Sequence, residues 1–293
     1  MKQALAGRVA LVAGATRGAG RGIAVELGAA GATVYVTGRS SRSEPTTAYA
    51  AFLERNGLAA MPGTIEDTAE EVTAAGGRGI PVRCDHGDPA QVRALLARVE
   101  REHGRLDVLV NNAWGGHESF TLASLSAPFW EQPLEHWESM LDHGVRNHVV
   151  ACHVAAPLLV RQRRGLVVTT TFWDRGKYLR GNLFYDLAKA AMNRLAFGVA
   201  EELRPYGVCS LAVSPGWMRT ELVLAGRADE STWRDHPHLA RTESPRYLGR
   251  AVAALAADPD VFAKTGSVQL VGELAREYGF TDVDGRVVPP FEI

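Results

Sequence analysis

Cysteine is scarce in this chain, with three residues among 293, at positions 84, 152 and 209. Such few and widely spaced thiols form neither a disulfide framework nor a zinc motif. They favour a reducing compartment and predict a cytoplasmic location with no metal site. An excess of charge is also missing, because 32 basic residues face 33 acidic ones and leave a net charge of −1. This balance gives no sign of a nucleic-acid partner.

Long hydrophobic runs are missing as well. The chain reaches Gly7 and Arg8 without an apolar signal stretch, and the most apolar later run, residues 149–160, contains His153 and Pro157. That run is too short to span a bilayer, so we expect neither secretion nor a membrane partner. What is present is the composition of a globular protein, 46% hydrophobic and 22% charged.

Short apolar runs alternate with segments of helical periodicity along the whole chain. The runs lie at 8–14, 33–37, 80–84, 106–110, 166–170, 208–213 and 267–271. The helical segments lie at 18–29, 64–75, 89–103, 134–160, 183–203 and 245–257. Because strands buried on both faces are continuously apolar, this order predicts an α/β fold, in which helices cover both faces of a doubly wound parallel sheet. No linker divides the chain, so we expect one domain over residues 1–293.

Three segments interrupt this alternation, near 40–63, 115–133 and 216–244. The second and third follow the carboxyl ends of predicted strands, where ligands bind in doubly wound sheets. We therefore expect both to wall a substrate site. The first segment is compatible with a lid, an oligomer contact or a tolerated loop.

A glycine-rich loop, Gly14-Ala-Thr-Arg-Gly-Ala-Gly, joins the first predicted strand to the first predicted helix. Small residues there let the backbone approach a pyrophosphate, and the helix N-terminus offers free N–H groups and positive potential. The residues of this loop predicted to bind a cofactor are Gly14, Thr16, Arg17, Gly18 and Gly20.

The GxxxGxG spacing, together with the Asn111-Asn112-Ala113 and Tyr185-x-x-x-Lys189 motifs, resembles the short-chain dehydrogenase/reductase family over nearly the whole chain. Residues 62–85 and 265–285 are similar to its dehydrogenase/reductase "member 1" branch. The resemblance implies a three-layer Rossmann fold with a seven-stranded parallel sheet, a nicotinamide cofactor and a small-molecule carbonyl or alcohol substrate. It also implies homodimers or homotetramers formed through the helices at 134–160 and 183–203.

Cofactor preference follows from the end of the second strand, Val36-Thr-Gly-Arg39-Ser. Family members that bind NAD usually have an acidic residue there, which holds the ribose hydroxyls. Arg39 is instead suited to a 2′-phosphate, with Arg17 as its partner, because guanidinium groups bind phosphate through bidentate hydrogen bonds. The sequence predicts NADP(H) over NAD(H), and the alternative is a pair of solvated surface arginines.

The resemblance implies further cofactor contacts after later strands. Asp85 would face the adenine ring, and Asn111, followed closely by Ala113, would brace the central sheet and the cofactor. The Pro215-Gly216 pair would meet the nicotinamide carboxamide, and Thr220 would reach the carboxamide or the pyrophosphate.

Tyr185 and Lys189 are spaced to share one helix face. A phenol with a pKa near ~10 is a poor base, and a neighbouring ammonium favours its phenolate. Tyr185 can then exchange the proton that accompanies hydride transfer. The resemblance implies that Lys189 also holds the nicotinamide ribose and that Asn147 anchors a water beside it. For Asn147 the alternative is a solvent-exposed amide.

The family's catalytic serine has no direct equivalent, because the fifth strand runs Thr169-Thr-Thr171-Phe172-Trp173. Strand register favours Thr171 in the serine's place. Counting back the thirteen residues common in the family from Tyr185 reaches Phe172, so the two assignments stay open.

Aromatic residues gather after the fourth, fifth and sixth strands, and those predicted to contact substrate are Trp114, Phe172, Trp173, Tyr178 and Trp217. Aromatic walls suit an apolar or ring-bearing carbonyl compound. The alternative is that half of them only pack the added loops. The sequence therefore predicts an NADP(H)-dependent oxidoreductase, and the second hypothesis is a weakly catalytic NADPH sensor or scaffold.

Overall fold

The computed structural model describes residues 3–44, 47–59, 61–116, 118–119, 121, 127–173, 175–178, 181–225 and 232–292. A seven-stranded sheet in the order β3-β2-β1-β4-β5-β6-β7 lies at its centre, and every strand pair is parallel. The strands are β1 (Val9–Ala13), β2 (Thr33–Gly38), β3 (Arg78–Arg83), β4 (Val108–Asn111), β5 (Gly165–Thr170), β6 (Val208–Ser214) and β7 (Val268–Leu270). The predicted doubly wound fold is thus confirmed, with its strand order reversing between β1 and β4.

The helices surround this sheet, and several begin and end at residues that the sequence marks. They are α1 (Gly18–Ala29), α2 (Thr47–Arg55), α3 (Ile65–Ala74), α4 (Pro89–His103), α5 (Glu135–Trp137), α6 (Arg146–Gln162), α7 (Leu183–Leu203), α8 (Glu221–Leu224), α9 (Pro245–Ala257) and α10 (Val271–Tyr278). In α4 the Asp88 side chain accepts the Ala90 N–H, and Gly104 ends the helix in the left-handed conformation. Within the described ranges, no helix has the length and apolar character needed to cross a membrane.

Buried side chains form one cluster on each face of the sheet. The first includes residues of α1, α3, α9 and α10, and the second includes residues of α4, α6 and α7. Successive residues of β1 alternate between them, with Ala10 and Val12 in the first cluster and Val9 and Leu11 in the second. The unbroken apolar run of β1 is therefore what a strand covered on both faces requires.

The helix predicted at 134–160 is not continuous. A π-helical segment, Glu138–Val145, separates α5 from α6. Gly144 in this segment lies beneath the Trp114 indole, where an added Cβ would come within 2.7 Å of the ring. Hydrophobic periodicity does not separate a π-helical turn from an α-helical one, and such segments occur often beside functional sites.

The sequence pattern missed three further helices, of which α8 lies in the added segment near 216–244. The strand predicted to end at residue 271 stops at Leu270, and α10 begins immediately with Val271. The segment near 40–63 contains α2, whose Phe52 and Leu53 are buried. Parts of all three added segments, residues 45–46, 60, 117, 120, 122–126 and 226–231, lie outside the described residues.

Candidate active site

One cleft of about 1020 Å³ opens at the carboxyl ends of the central strands. It extends from the glycine loop and the end of β2 to Tyr185 and Lys189 on α7. The predicted site residues that line it are Gly14, Thr16, Arg17, Gly18, Arg39, Asp85, Ala113, Trp114, Asn147, Thr171, Phe172, Tyr185, Lys189, Pro215, Gly216, Trp217 and Thr220. The sheet order therefore brings them together at the point where ligands bind in doubly wound folds.

Four predicted residues lie outside this lining. Gly20 is buried under the glycine loop, where a Cβ would lie 2.1 Å from the Gly14 carbonyl oxygen. Asn111 is fully buried, and its Nδ2 donates to Cys152 Sγ at 3.1 Å, so it braces the sheet and does not face the cleft. Trp173 and Tyr178 are 37% and 47% exposed at the outer surface.

The glycine loop, residues 14–20, lines one end of the cleft, and we call it the glycine cradle. Gly14 has a φ of +71°, and a Cβ there would lie 2.8 Å from Ala113 Cα. Asn112, which the sequence analysis did not single out, donates through Nδ2 to the Gly14 carbonyl at 3.0 Å. The neighbouring strand end thus holds the loop in place, and a Cβ at Gly14 or Gly20 would collide with neighbouring backbone atoms.

Carboxylates already lie on two groups that were predicted to meet phosphates. The Gly18 N–H at the start of α1 donates to Glu221 Oε2 at 3.0 Å. Arg39 forms an ion pair with Glu118, whose Oε2 is 3.0 Å from His143 Nδ1. Both positions therefore attract anions in this structure, as helix N-termini and guanidinium groups do. With the glycine cradle, they fit a phosphate-bearing cofactor.

Arg17 is not a freely solvated arginine. Its guanidinium carbon lies 4.2 Å from the ring centroid of Tyr49 on α2, and its Nη2 donates to the Gly63 carbonyl at 2.9 Å. The added segment near 40–63 therefore packs against the cofactor end of the cleft. Asp85 also lines this end, where its Oδ1 accepts the Gly87 N–H at 2.9 Å.

Tyr185 and Lys189 lie together at the other end of the cleft. The Lys189 ammonium is 3.9 Å from the ring centroid of Trp114 and 5.3 Å from that of Tyr185. The two rings meet edge to face, with centroids 5.9 Å apart. Burial lowers the pKa of Lys189 to about 7 and raises that of Tyr185 above its usual value. Trp114 is therefore a packing partner of the Tyr-Lys pair as well as part of the cleft wall.

Asn147 lies in the first turn of α6 and is buried. Its Nδ2 donates to the His143 carbonyl, in the π-helical segment, at 2.7 Å. Its buried Oδ1 has no partner among the described protein groups. This burial disagrees with the alternative of a solvent-exposed amide and leaves one acceptor directed into the site.

Thr171 and Phe172 both line the cleft but face different partners. The Thr171 hydroxyl donates to the Lys189 carbonyl at 3.1 Å, within the backbone of α7. The Phe172 ring lies 6.2 Å from the Tyr185 ring, centroid to centroid. Strand β5 ends at Thr170, so Thr171 follows it directly, and the Phe172 ring lies beside the phenol ring, against which Trp114 also packs.

A buried carboxyl group that the sequence analysis missed supports the Pro215-Gly216 turn. The Gly216 N–H donates to Glu243 Oε2 at 3.0 Å, and the Arg219 N–H donates to the Glu243 carbonyl at 2.9 Å. Burial raises the pKa of Glu243 to about 8. Arg219 itself is buried, stacked 4.1 Å over Trp233 and 3.2 Å from an Asp282 carboxylate oxygen. These partners are distant in sequence and form no motif.

The fold and the shared cleft of glycine loop and Tyr-Lys pair point to one class of protein. A family model described as enoyl-(acyl carrier protein) reductase matches residues 47–272. The chain belongs to the short-chain dehydrogenase/reductase family, whose members are oxidoreductases that bind a nicotinamide cofactor and act on small molecules.

Individual relatives agree with this membership. The chain is 38% identical to mouse (Mus musculus) dehydrogenase/reductase SDR family member 1 over 292 residues, covering 97% of this chain and 86% of the relative. A short-chain dehydrogenase structure from Mycobacterium thermoresistibile superposes with a TM-score of 0.76 at 27% identity, covering 97% and 92% of the two chains. A metagenomic short-chain oxidoreductase in complex with NADP has a TM-score of 0.67 at 25% identity, covering 91% and 97%.

Proposed function

We propose that this protein is an NADP(H)-dependent oxidoreductase that interconverts a carbonyl compound and the corresponding alcohol, with an apolar or aromatic substrate. The observation that carries the proposal is the single cleft. At one end it holds the glycine cradle with Arg17 and Arg39, and at the other the half-buried Tyr185 and Lys189. This arrangement suits NADP(H), whose 2′-phosphate and nicotinamide lie toward opposite ends of the molecule.

In the reduction direction, the cofactor would supply a hydride to the carbonyl carbon. The Tyr185 hydroxyl would donate its proton to the carbonyl oxygen, and in the reverse reaction the phenolate would take a proton from the alcohol. Lys189 would hold the ribose hydroxyls, and its positive charge would stabilise the phenolate. Asn147 would direct its free Oδ1 toward a water that returns the proton. Thr171 would supply the hydroxyl for the substrate oxygen, since Phe172 has none.

Cofactor preference is proposed from the charges at the end of β2. Arg39 lines the cleft where a 2′-phosphate would lie, and no acidic residue occupies that strand end. A relative of this chain was solved with NADP, which supports the same preference. The other cofactor contacts are proposed at the glycine loop, Asp85, Ala113, Pro215-Gly216 and Thr220.

The deciding experiment is a screen of NADPH consumption with ketones, aldehydes and quinones, using Tyr185→Phe as the control. Turnover by the wild type that falls at least ~100-fold in the variant, with NADPH binding retained, is the expected result. Thr171→Ala should lower turnover while leaving NADPH binding intact. Turnover in Tyr185→Phe equal to that of the wild type would remove the proposed mechanism.

A second function is favoured by one observation. The Thr171 hydroxyl is hydrogen-bonded to the α7 backbone while Phe172 faces Tyr185, an arrangement that suits a weakly catalytic NADPH sensor or scaffold. Tight NADPH binding without turnover of any compound in the screen would favour this alternative.

Assembly and location are proposed from the surface and from the thiols. Exposed apolar residues occur on the two long helices, with Val149 on α6 and Leu187 and Phe197 on α7. They support a homodimer or homotetramer, and light scattering on Leu187→Glu should then report a smaller particle.

The three cysteines are buried and unpaired, which supports a reducing, cytoplasmic location.

A further inference from the structure

An aromatic residue far along the chain packs against the substrate end of the cleft. The Phe291 ring lies 6.0 Å from the Phe172 ring, centroid to centroid, with the planes inclined at 59°. Phe172 in turn lies 6.2 Å from Tyr185. A Cβ added to Gly216 would meet Phe291 Cβ at 3.5 Å, an ordinary contact distance. Phe291 therefore lies behind Phe172 and beside the Pro215-Gly216 turn.

The segment that carries Phe291 is anchored to the protein core. Val288 is buried, and both its N–H and its carbonyl are hydrogen-bonded to the Tyr247 hydroxyl at 3.1 Å. The next residues, Pro289 and Pro290, lie so close to α10 that a Cβ at Gly272 would come within 2.5 Å of the Pro290 nitrogen. Two prolines also restrict the backbone. The position of Phe291 is thus determined by contacts with α9 and α10, which cover the face of the sheet opposite α7.

Phe291 contributes little to the core itself, because it remains 39% exposed. Its contacts are with the edge of the site, and Phe172 has no other aromatic neighbour behind it among the described residues. An aromatic ring in this place restrains the Phe172 ring, because aromatic pairs attract each other beyond the effect of the area they bury.

We propose that Phe291 is a positioning residue for substrate selection: it holds Phe172 against the site and so favours carbonyl compounds that carry a ring. This inference rests on the proposed function. The inference extends the proposed function from the residues that transfer the proton to a wall of the site that selects substrates by their shape. Phe291 acts through Phe172 and does not line the cleft.

The test compares the wild type with Phe291→Ala, Phe291→Tyr and Phe262→Ala in the full chain. Phe262 is a matched control, since it is also 39% exposed but lies in the turn Val261–Lys264 away from the cleft. Kinetics are measured with NADPH and two carbonyl compounds from the screen, one ring-bearing and one small and aliphatic. Acetophenone binding, followed by quenching of tryptophan fluorescence, gives a second readout without turnover.

Phe291→Ala should raise KM for the ring-bearing compound about 2- to 10-fold, the equivalent of one aromatic pair. The KM for the aliphatic compound, the kcat and the NADPH Kd should stay within twofold. Phe291→Tyr should restore the lower KM, and Phe262→Ala should match the wild type. Acetophenone should bind more weakly to Phe291→Ala by the same factor.

An unchanged KM, or an equal change with both compounds, would overturn the proposal. A protein that reduces no compound would refute the proposed function. The acetophenone measurement would then decide this inference separately, since equal binding to wild type and Phe291→Ala would refute it as well.

Discussion

The Lys189 ammonium lies 3.9 Å from the centre of the Trp114 ring. Trp114 directly follows the Asn-Asn-Ala motif, and Gly144 in the π-helical segment leaves room for its indole. Trp114 therefore shields one side of the Lys189 ammonium from water.

This shielding predicts an unusual titration of Lys189. Burial lowers its pKa to about 7, so its charge should be present below pH 7 and lost above it. Because the chain has four lysines, at positions 2, 177, 189 and 264, ¹³C-labelled lysine side chains can be followed by NMR. Trp114→Ala should admit water and move the titration upward. Lys189→Arg assigns the signal, and a wild-type midpoint near ~10.4 would contradict the prediction.

Arg39→Asp should weaken NADPH binding by about 10- to 100-fold, the loss expected for a charged hydrogen bond, and leave NADH binding nearly unchanged. The reason is that only NADPH carries the 2′-phosphate. Isothermal titration calorimetry gives both dissociation constants. Arg98→Asp, at an exposed ion pair on α4, is the charge-matched control. Unchanged NADPH binding in Arg39→Asp would reject the assigned phosphate site.

Removing the two carboxylates that lie on the phosphate positions should tighten cofactor binding. Glu118→Gln frees Arg39 and should favour NADPH over NADH, by about 2- to 5-fold. Glu221→Ala frees the Gly18 N–H and should tighten both cofactors equally, by a similar factor, because both carry the pyrophosphate. The gains should shrink at 1 M salt, where exposed charges are screened. Weaker binding in either variant would instead mean that the carboxylate contacts the cofactor directly.

Glu243 should make the protein less stable as the pH rises. Its pKa is raised from 4.5 to about 8, so between these values the folded state binds more protons than the unfolded state. The free energy of unfolding should then fall with rising pH, with a slope of up to ~1.4 kcal/mol per pH unit from this group. Glu243→Gln keeps an acceptor for the Gly216 N–H and should remove that slope. Urea unfolding from pH 4.5 to 8 measures it, and identical slopes would contradict the assignment.

Much of the fold was predictable because its signals are local. Each strand of the parallel sheet is an apolar run, and α4 is bounded by Asp88, Pro89 and Gly104, which act within a few residues. The i,i+4 spacing likewise places Tyr185 and Lys189 on one helix face. Missed elements have weak or mixed signals: α2 lies in an added segment, and α10 begins with no residue separating it from β7.

The site residues that belong to a sequence motif could be predicted. Contacts between residues that are far apart in sequence could not. Gly18 and Glu221, or Arg39 and Glu118, are far apart in sequence and meet only because the loops after β1, β2, β4 and β6 share one edge of the sheet. The same holds for Phe291 behind Phe172.

The sequence by itself therefore determined the α/β order, the glycine loop and the Tyr-Lys pair, since backbone periodicity and helix spacing depend on neighbouring residues. Only the tertiary structure decided which carboxylates lie on Gly18 and Arg39, that Trp114 packs against Lys189, and that the Phe172 ring lies beside the Tyr185 ring. Those outcomes depend on the strand order and on burial, which alter charge and contact between residues that the chain keeps far apart.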